Sequence, residues 1–354
     1  MIVPFKPEGV WTALVTPFDK HGKLDSAAFK RLVEFQIAQG VTGILPTGTT
    51  GESPTLSWDE HNRVVEEAVA FAKGRVGVMA GSGSNCTDEA IDATRHAREA
   101  GASAALIVDC YYNKPSSYEL RTEYYEQIAE WVADIPLMPY IIPGRTGCAL
   151  GAEDLAVLHL NHPKRFPAVK EATGDLERMR YERSLTGAAF AIMSGDDDLT
   201  VAMIEDAKIQ ASGVVSVMSN IVPGALSKMV ALLRSGDAAG AKSLAAKLDP
   251  LFKLVGCKVT AKRKLPSGQE LTVEDKIPNP VPCKTMMAGL GMPVGLCRRP
   301  LGKMPKDGVD RCRKALVELH AAAPEALKPI GDAFGVNVAS RLKDDAVWAE
   351  LTRA

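Results

Sequence analysis

The stretch Phe166-Pro167-Ala168-Val169-Lys170-Glu171-Ala172-Thr173-Gly174 decides how the rest of the chain is interpreted. It predicts a short buried strand that runs into a loop. Because side chains alternate along a strand, Val169 is expected to pack against a helix and Lys170 to point into the space that the strands enclose. A buried amine loses hydration, so its pKa falls and its neutral form can attack a carbonyl carbon. Taken alone, Lys170 has the alternative interpretation of a solvated surface lysine.

Strand and helix patterns alternate on both sides of this stretch. Strands are predicted at 9–18, 43–46, 76–80, 104–108, 137–142, 166–170, 190–193 and 214–217. Helices are predicted at 27–39 with Ser26 as its cap, 58–73 with Ser57 and Glu60 as a capping box, 88–100, 118–132, 152–159, up to 207, and 223–233. Roughly eight strand-helix units in about 230 residues predict a (βα)8 TIM barrel. A doubly wound open sheet is the alternative, but the first loop lacks its glycine-rich phosphate fingerprint.

The C-terminal third does not continue the strand–helix alternation of the barrel. We divide the chain into a catalytic barrel, residues 1–236, and a C-terminal helical region, residues 237–354. Within that region a β-hairpin insertion is predicted at about 257–277, because two charged strands flank a Pro-Ser-Gly-Gln turn at 266–269. Further helices are predicted at 238–254, 311–322 and 344–351, and the tail from Pro324 onward is expected to be loosely attached.

Composition narrows the class of protein. The chain has 354 residues, with 42 Lys and Arg against 43 Asp and Glu, so no net field attracts nucleic acid or anionic membrane. No segment reaches the roughly 18 apolar residues of a membrane span, and the first residues lack a signal-peptide pattern. The 7 cysteines show no metal-ligand spacing and are interpreted as reduced thiols. We therefore predict a cytoplasmic protein without a metal site.

Several polar side chains fall where barrel strands end, which is where barrel enzymes place their chemistry. They are Thr49 and Thr50 after the second strand, Tyr111 and Tyr112 after the fourth, Tyr140 and Arg145 at the fifth, Lys170 at the sixth and Gly195 after the seventh. Each has an ordinary structural explanation taken singly. An amine, hydroxyls and one guanidinium together suit a Schiff-base enzyme that acts on a keto acid.

The same positions carry a family resemblance. The motifs are GTTGE (48–52), YYNKPS (111–116), YIIPGRTG (140–147), VKEATG (169–174), SGDD (194–197) and NPVPCK (279–284). With these motifs the chain resembles the dihydrodipicolinate synthase and N-acetylneuraminate lyase family of class I aldolases, over roughly residues 9–292. The YYN motif and Arg145 resemble the branch that condenses pyruvate with L-aspartate 4-semialdehyde in lysine and diaminopimelate biosynthesis.

The resemblance implies roles for individual residues. Lys170 would form the Schiff base, and Tyr140 would donate and accept the proton there. Thr49 and Tyr112 would complete the proton relay, with the tyrosine pair meeting its counterpart across a dimer interface. Substrate-binding residues would be Thr50 for the pyruvate carboxylate, Arg145 for the aldehyde carboxylate, and the backbone of Gly195 and Val215. No cofactor is implied beyond the covalent Schiff base, and a homodimer or homotetramer is expected.

A second site is implied for control by lysine. It would comprise Trp58, His61, Asn85, Glu89 and Tyr111 in a cleft at the dimer interface; ordinary helix-face residues are the alternative.

The chain also departs from the family pattern. Ile141 stands where many members have Asn, Gly144 where many have Ser, and Asp109-Cys110 where Thr-Pro is common. Two other functions therefore stay open: a sister lyase or aldolase for a sugar acid or hydroxy-keto acid, and a catalytically silent barrel subunit.

Overall fold

Eight parallel strands close into a barrel in which each strand pairs with the next along the chain and the last returns to the first. The computed structural model describes residues 2–353. The barrel strands are β1 (Gly9–Ala13), β2 (Gly43–Leu45), β3 (Gly77–Gly81), β4 (Ala104–Val108), β5 (Leu137–Ile141), β6 (Ala168–Glu171), β7 (Ala191–Ser194) and β8 (Gly213–Ser216). At the closing seam a Cβ on Gly213 would lie 2.1 Å from the Gly9 carbonyl oxygen, so a side chain there would force the strands apart. The predicted TIM barrel is confirmed.

Helices follow the strands and form the outer layer. They are α1 (Ser26–Ala38), α2 (Trp58–Ala72), α3 (Thr87–Ala100), α4 (Ser117–Glu119), α5 (Glu126–Trp131), α6 (Pro143–Thr146), α7 (Ala152–Asn161), α8 (Leu176–Thr186), α9 (Thr200–Glu205) and α10 (Pro223–Arg234). The helix predicted over 118–132 is continuous from Ser117 to Trp131, but its middle, Leu120–Tyr125, is π-helical, which the sequence pattern did not predict. That wider turn accompanies the burial of two consecutive tyrosines: the Tyr124 hydroxyl donates to the Val108 carbonyl of β4, and the Tyr125 hydroxyl donates to Asp109 just beyond β4.

Helix caps test the local predictions. The capping box of Ser57 and Glu60 at the start of α2 is confirmed. The cap predicted at Ser26 is wrong: the Asp25 carboxylate accepts the hydrogen bond from the Ala28 N–H at 2.9 Å. Ser26 already lies inside the helix, where its hydroxyl donates to Glu67 Oε1 at 2.7 Å instead.

The C-terminal region contains the predicted hairpin between helices. Its elements are α11 (Ala238–Phe252), β9 (Cys257–Lys264), β10 (Glu270–Ile277), α12 (Val281–Leu290), α13 (Lys306–Ala322), α14 (Pro324–Phe334), α15 (Val338–Lys343) and α16 (Asp345–Glu350). The hairpin strands pair antiparallel, and ion pairs such as Lys258 with Glu274 at 2.8 Å cross between them. The division of the chain at residue 236 stays a prediction.

The tail is packed against the barrel, so the expectation of loose attachment from Pro324 is wrong. Leu327 and Ile330 of α14 are fully buried, and the Phe334 ring lies 5.3 Å from the Phe35 ring of α1. Their spacing places one apolar face of α14 on the core. Among residues 2–353, none of the helices combines the length and the hydrophobicity needed to cross a membrane.

Candidate active site

Lys170 and Tyr140 meet inside the barrel because they are partners in the β5–β6 register. Both residues are buried, with 4% and 5% of their surface exposed. The Lys170 Nζ lies 4.0 Å from the centroid of the Tyr140 ring. The structure therefore agrees with the inward direction of Lys170 that strand alternation predicted, and the amine lies against the ring of Tyr140.

Burial lowers the pKa of the Lys170 amine. Its pKa is lowered from 10.5 to about 8, chiefly by loss of hydration and to a smaller degree by the Arg145 charge, while the carboxylates of Asp196 and Asp197 oppose the shift. An amine with that pKa is neutral in an appreciable fraction of molecules near pH 7, and the neutral form is the nucleophile.

The pKa of Tyr140 is shifted in the opposite direction. Burial raises its pKa to about 12, although the Arg145 charge and contact with the Thr49 side chain both lower it. Its hydroxyl is therefore protonated over the physiological range and available as a proton donor. The Thr49 side chain therefore lies beside this hydroxyl, and its role in a proton relay stays a prediction.

A pocket of about 210 Å³ opens above Tyr140 at the carboxyl ends of the strands. Four residues from the predicted set line it: Thr49, Tyr111, Tyr140 and Arg145. Its size suits small substrates, and its wall supplies hydroxyls and one guanidinium. The pocket is the place in the barrel where a carbonyl compound can reach the residues beside Lys170.

Three further predicted residues lie around the barrel without lining this pocket. Thr50 is buried and its hydroxyl accepts a hydrogen bond from Asn279 Nδ2 at 2.9 Å. The Gly195 N–H donates to the Glu171 carbonyl, and a Cβ on Gly195 would lie 2.6 Å from that of Ala172. Val215 is buried in the same interior cluster as Tyr140. Their roles in holding substrate stay predictions.

Tyr112 lies apart from the pocket. It is 87% exposed, and its backbone has a φ of 85°, in the left-handed region that non-glycine residues rarely adopt. Within one chain Tyr112 is therefore not brought to Tyr140, and its place in the relay stays a prediction that requires a second copy of the chain.

The loop that carries Thr49 and Thr50 is fixed by a buried ion pair that sequence reasoning missed. Glu52 has a φ of 58°, and its carboxylate lies 2.7 Å from the Lys284 Nζ, with both side chains at most 2% exposed. Lys284 also donates to the Thr16 carbonyl at 3.0 Å. The NPVPCK motif marked this lysine, but nothing local connects it with Glu52, 232 residues away.

Asn279 of the same motif lies between two predicted substrate-binding residues. Its amide donates to Thr50, and its backbone oxygen accepts from Arg145 Nη2 at 3.4 Å. Its side-chain oxygen is buried and has no protein partner among the described residues. Asn279 therefore links the Thr50 loop to Arg145, which the sequence alone did not reveal.

Two carboxylates of the SGDD motif also act on the site. Burial and the neighbouring Asp198 raise the pKa of Asp196 to about 6, while Lys170 lowers it. Asp197 accepts hydrogen bonds from the backbone N–H groups of Val217 and Met218 at 3.0 and 3.1 Å, which ties the end of β7 to the end of β8. Asp196 is thus the carboxylate whose charge acts most strongly on the pKa of Lys170.

A second pocket of about 200 Å³ adjoins the first. Of the predicted effector residues, Trp58, His61, Glu89 and Tyr111 line it, whereas Asn85 is exposed and does not. His61 is held by its Nε2, 2.8 Å from the Gly81 carbonyl oxygen, and burial lowers its pKa. Tyr111 lies on the wall between the two pockets, so a ligand in one contacts a side chain of the other.

Comparisons with known proteins agree with this geometry. The model of the dihydrodipicolinate synthetase family matches residues 6–319. The 4-hydroxy-tetrahydrodipicolinate synthase of Nitratidesulfovibrio vulgaris (strain Hildenborough) is 38% identical over 308 residues, 87% of this chain and 97% of that protein. That of Methanothrix thermoacetophila is 38% identical over 312 residues, 88% and 96% of the two chains. The solved structure of the enzyme of the same name from Methylacidiphilum fumariolicum SolV superposes with a TM-score of 0.80 at 32% identity, covering 93% of this chain and all of that one.

Proposed function

The chain belongs to the dihydrodipicolinate synthetase family, and from that premise we propose that it is a 4-hydroxy-tetrahydrodipicolinate synthase. It condenses pyruvate with L-aspartate 4-semialdehyde in lysine and diaminopimelate biosynthesis. The observation that carries the proposal is the buried Lys170 amine, 4.0 Å from the ring of Tyr140, which lines the same pocket as Arg145.

The proposed reaction begins at Lys170. Its neutral amine bonds to C2 of pyruvate, and the carbonyl oxygen leaves as water once Tyr140 and its relay have supplied protons. Loss of a proton from C3 then gives an enamine whose carbon attacks the aldehyde carbon. The amino group of the semialdehyde finally bonds to C2, closes the ring and releases Lys170. The lysine is itself the covalent catalyst, so we predict no metal or organic cofactor.

The other functions are less well supported. A sister lyase for sugar acids has less need of a fixed guanidinium beside a small pocket, and the relatives cited above are named as synthases. A silent barrel would not need a buried, unpaired amine whose pKa is lowered.

Borohydride trapping tests the proposal directly. The protein is incubated with pyruvate and borohydride, digested and analysed by mass spectrometry, and separately assayed for condensation with aspartate semialdehyde. We expect the reduced pyruvyl mass on the peptide that contains Lys170, together with condensation activity. Label on another lysine, or no label, would reject the Schiff-base step, whereas labelling without condensation would reject the aldehyde.

Assembly and location belong to the same proposal. We propose a homodimer or homotetramer, in which the exposed Tyr112 of one copy completes the relay of another. We also propose a cytoplasmic location, which the seven free cysteines of the described chain support.

Arg145→Ala is expected to raise the KM for the aldehyde by about 10- to 100-fold, because a charged hydrogen bond to the substrate carboxylate is lost. The KM for pyruvate should change much less. Steady-state kinetics with each substrate varied in turn measure the difference. Arg145→Lys is the control. It keeps the positive charge but cannot form two parallel hydrogen bonds to a carboxylate, so its KM for the aldehyde should lie between those of the wild type and Arg145→Ala. Equal increases in both KM values would contradict this role for Arg145.

Lysine is expected to inhibit the enzyme through the second pocket. The Glu89 carboxylate is available for an ammonium group, and Trp58, which lies 5.1 Å from the His61 ring, offers a face for the aliphatic stem. In Glu89→Ala the half-inhibitory lysine concentration should rise at least about tenfold, as expected for losing a charged contact. Each titration is normalised to its own lysine-free rate.

Asp88→Ala, which removes an exposed carboxylate from the same helical turn, is the matched control. If the wild-type rate did not fall with lysine concentrations into the millimolar range, the hypothesis would be rejected.

A further inference from the structure

Behind Lys170 lies a cluster of buried charged groups that the proposed reaction does not use. Glu171 follows Lys170 on β6, so its side chain points away from the barrel interior toward the helices. It lies near Arg178 and Glu182 of α8, and Asp109 at the end of β4 completes the cluster. The three carboxyl groups have no exposed surface. We call this set of four residues the rear cluster.

The rear cluster holds one backbone unit from both sides. The Leu150 N–H donates to Asp109 Oδ2 at 3.1 Å, and the Leu150 carbonyl oxygen accepts from Arg178 Nη2 at 2.6 Å. Leu150 itself is fully buried. Two charged side chains from different parts of the barrel, the end of β4 and helix α8, therefore fix the position of a single loop residue.

Leu150 belongs to the short connection between α6 and α7, five residues beyond Arg145. Two more contacts stiffen that connection: the Thr146 hydroxyl donates to the Cys148 carbonyl at 2.7 Å, and the Cys148 thiol donates to the Cys110 carbonyl at 2.8 Å. A shift of Leu150 is therefore passed along a short, internally bonded segment to the residue that lines the pocket.

We infer that Asp109 and Arg178 are positioning residues for Arg145: by holding Leu150 from both sides they set the affinity of the site for the carboxylate of the aldehyde substrate. This inference rests on the proposed function, because it assigns the Arg145 guanidinium to that carboxylate. Lys170 and Thr49 lie outside this connection, on β6 and on the loop after β2, so the KM for pyruvate is expected to depend on it much less than the KM for the aldehyde.

The charge of the rear cluster decides which substitutions are informative. Three buried carboxyl groups face one guanidinium, and an excess of buried negative charge is costly. The cluster accordingly retains protons: burial and the Glu171 charge raise the pKa of Glu182 well above its usual range, and burial raises that of Asp109 to about 7. Removing the Arg178 charge would leave carboxylates without compensation, so Arg178→Lys is the informative variant.

Two substitutions of Asp109 differ in whether they keep an acceptor for the Leu150 N–H. Asp109→Ala removes the acceptor for the Leu150 N–H. Asp109→Asn keeps a carbonyl acceptor there and is neutral. Its amide N–H₂ would face the Tyr125 hydroxyl, which now donates to Asp109 at 2.6 Å but also contacts the Ile107 carbonyl at 3.1 Å and can donate there instead.

Steady-state kinetics of the full-length enzyme test the inference. In Arg178→Lys and Asp109→Ala the KM for aspartate semialdehyde should rise about tenfold, as expected when a positioning contact is lost outside the reacting centre. The KM for pyruvate should stay within about twofold, and Asp109→Asn should restore the aldehyde KM to near the wild-type value. KM does not depend on the fraction of folded enzyme, so partial misfolding of a variant does not mimic the result.

Two controls separate positioning from general stability. Tyr125→Phe removes the hydrogen bond on the far side of Asp109 while both Leu150 contacts remain, and Arg180→Ala removes an arginine of α8 that binds Asp206 and Glu177 instead. Neither should change the aldehyde KM. Parallel changes in both KM values, or a fall in kcat alone, would overturn the inference. A wild type without condensation activity would overturn the proposed function and the inference with it.

Discussion

Replacing Lys170 with alanine is expected to lower kcat by roughly 10⁴-fold or more, the size of effect seen when a covalent nucleophile is removed. The amine is the group that bonds to pyruvate, and within residues 2–353 the other lysine with a comparable degree of burial is Lys284. The variant should also lose all borohydride-dependent labelling by pyruvate. Both quantities are measured on the same preparation, by a coupled condensation assay and by intact mass.

The pH profile of imine formation is a second test of the role of Lys170. The protonated amine has no lone pair to attack with, and burial lowers the pKa of Lys170 to about 8. Trapping by the wild type should therefore increase as the pH rises from about 6, reach half its maximum near pH 8 and level off above about 9, instead of increasing toward the ordinary value for lysine. A profile that still climbs steeply at pH 10 would contradict the assigned environment.

Lys284 is the matched control for this prediction. Its amine is as buried as that of Lys170, but it is bound to the Glu52 carboxylate and to the carbonyl oxygens of Thr16 and Leu296. An amine whose donors are all engaged is not poised to attack a substrate. Pyruvate label on Lys284 in the wild type, or persistent label in Lys170→Ala, would mean that the nucleophile is misassigned.

Local patterns predicted the parts of the site that depend on strand periodicity. Alternation along β6 was enough to point Lys170 inward, and the closed order of strands then placed Tyr140 beside it through the β5–β6 register. The predicted strand at 104–108 coincides with β4, and the capping box of α2 was read directly from Ser57 and Glu60. In these cases neighbouring residues carry all of the physical information.

Other features depend on contacts between distant parts of the chain. The pair of Glu52 and Lys284, the link from Asn279 to Thr50, and the hold of Asp109 and Arg178 on Leu150 each join separate elements. No periodicity marks such pairs. Helix α8 was missed for a related reason: its sequence LERMRYERSLT has few apolar residues, and the buried Glu182 is paired with Arg178 where apolar residues are usual.

Tyr140→Phe is expected to slow turnover by about 100-fold or more, the usual cost of removing a positioned acid-base group. Its ring lies 4.0 Å from the Lys170 amine, and its pKa of about 12 keeps the hydroxyl protonated until it is used. Thr49→Val, which removes the hydroxyl that contacts Tyr140, should produce a loss of similar size. The measurement is kcat at saturating concentrations of both substrates.

The control for Tyr140→Phe is Tyr124→Phe, since Tyr124 is equally buried but its hydroxyl is occupied by the Val108 carbonyl and the Ser84 N–H. That variant removes a buried phenolic hydroxyl without touching Lys170, so kcat should change far less. Tyr140→Phe should still form the pyruvate imine, more slowly, because the Lys170 amine remains buried and its pKa remains lowered. Slow trapping with retained label on Lys170 separates a lost proton donor from a collapsed pocket, which would abolish labelling altogether. Near-wild-type turnover in both Tyr140→Phe and Thr49→Val would mean that protons reach the Schiff base by another route.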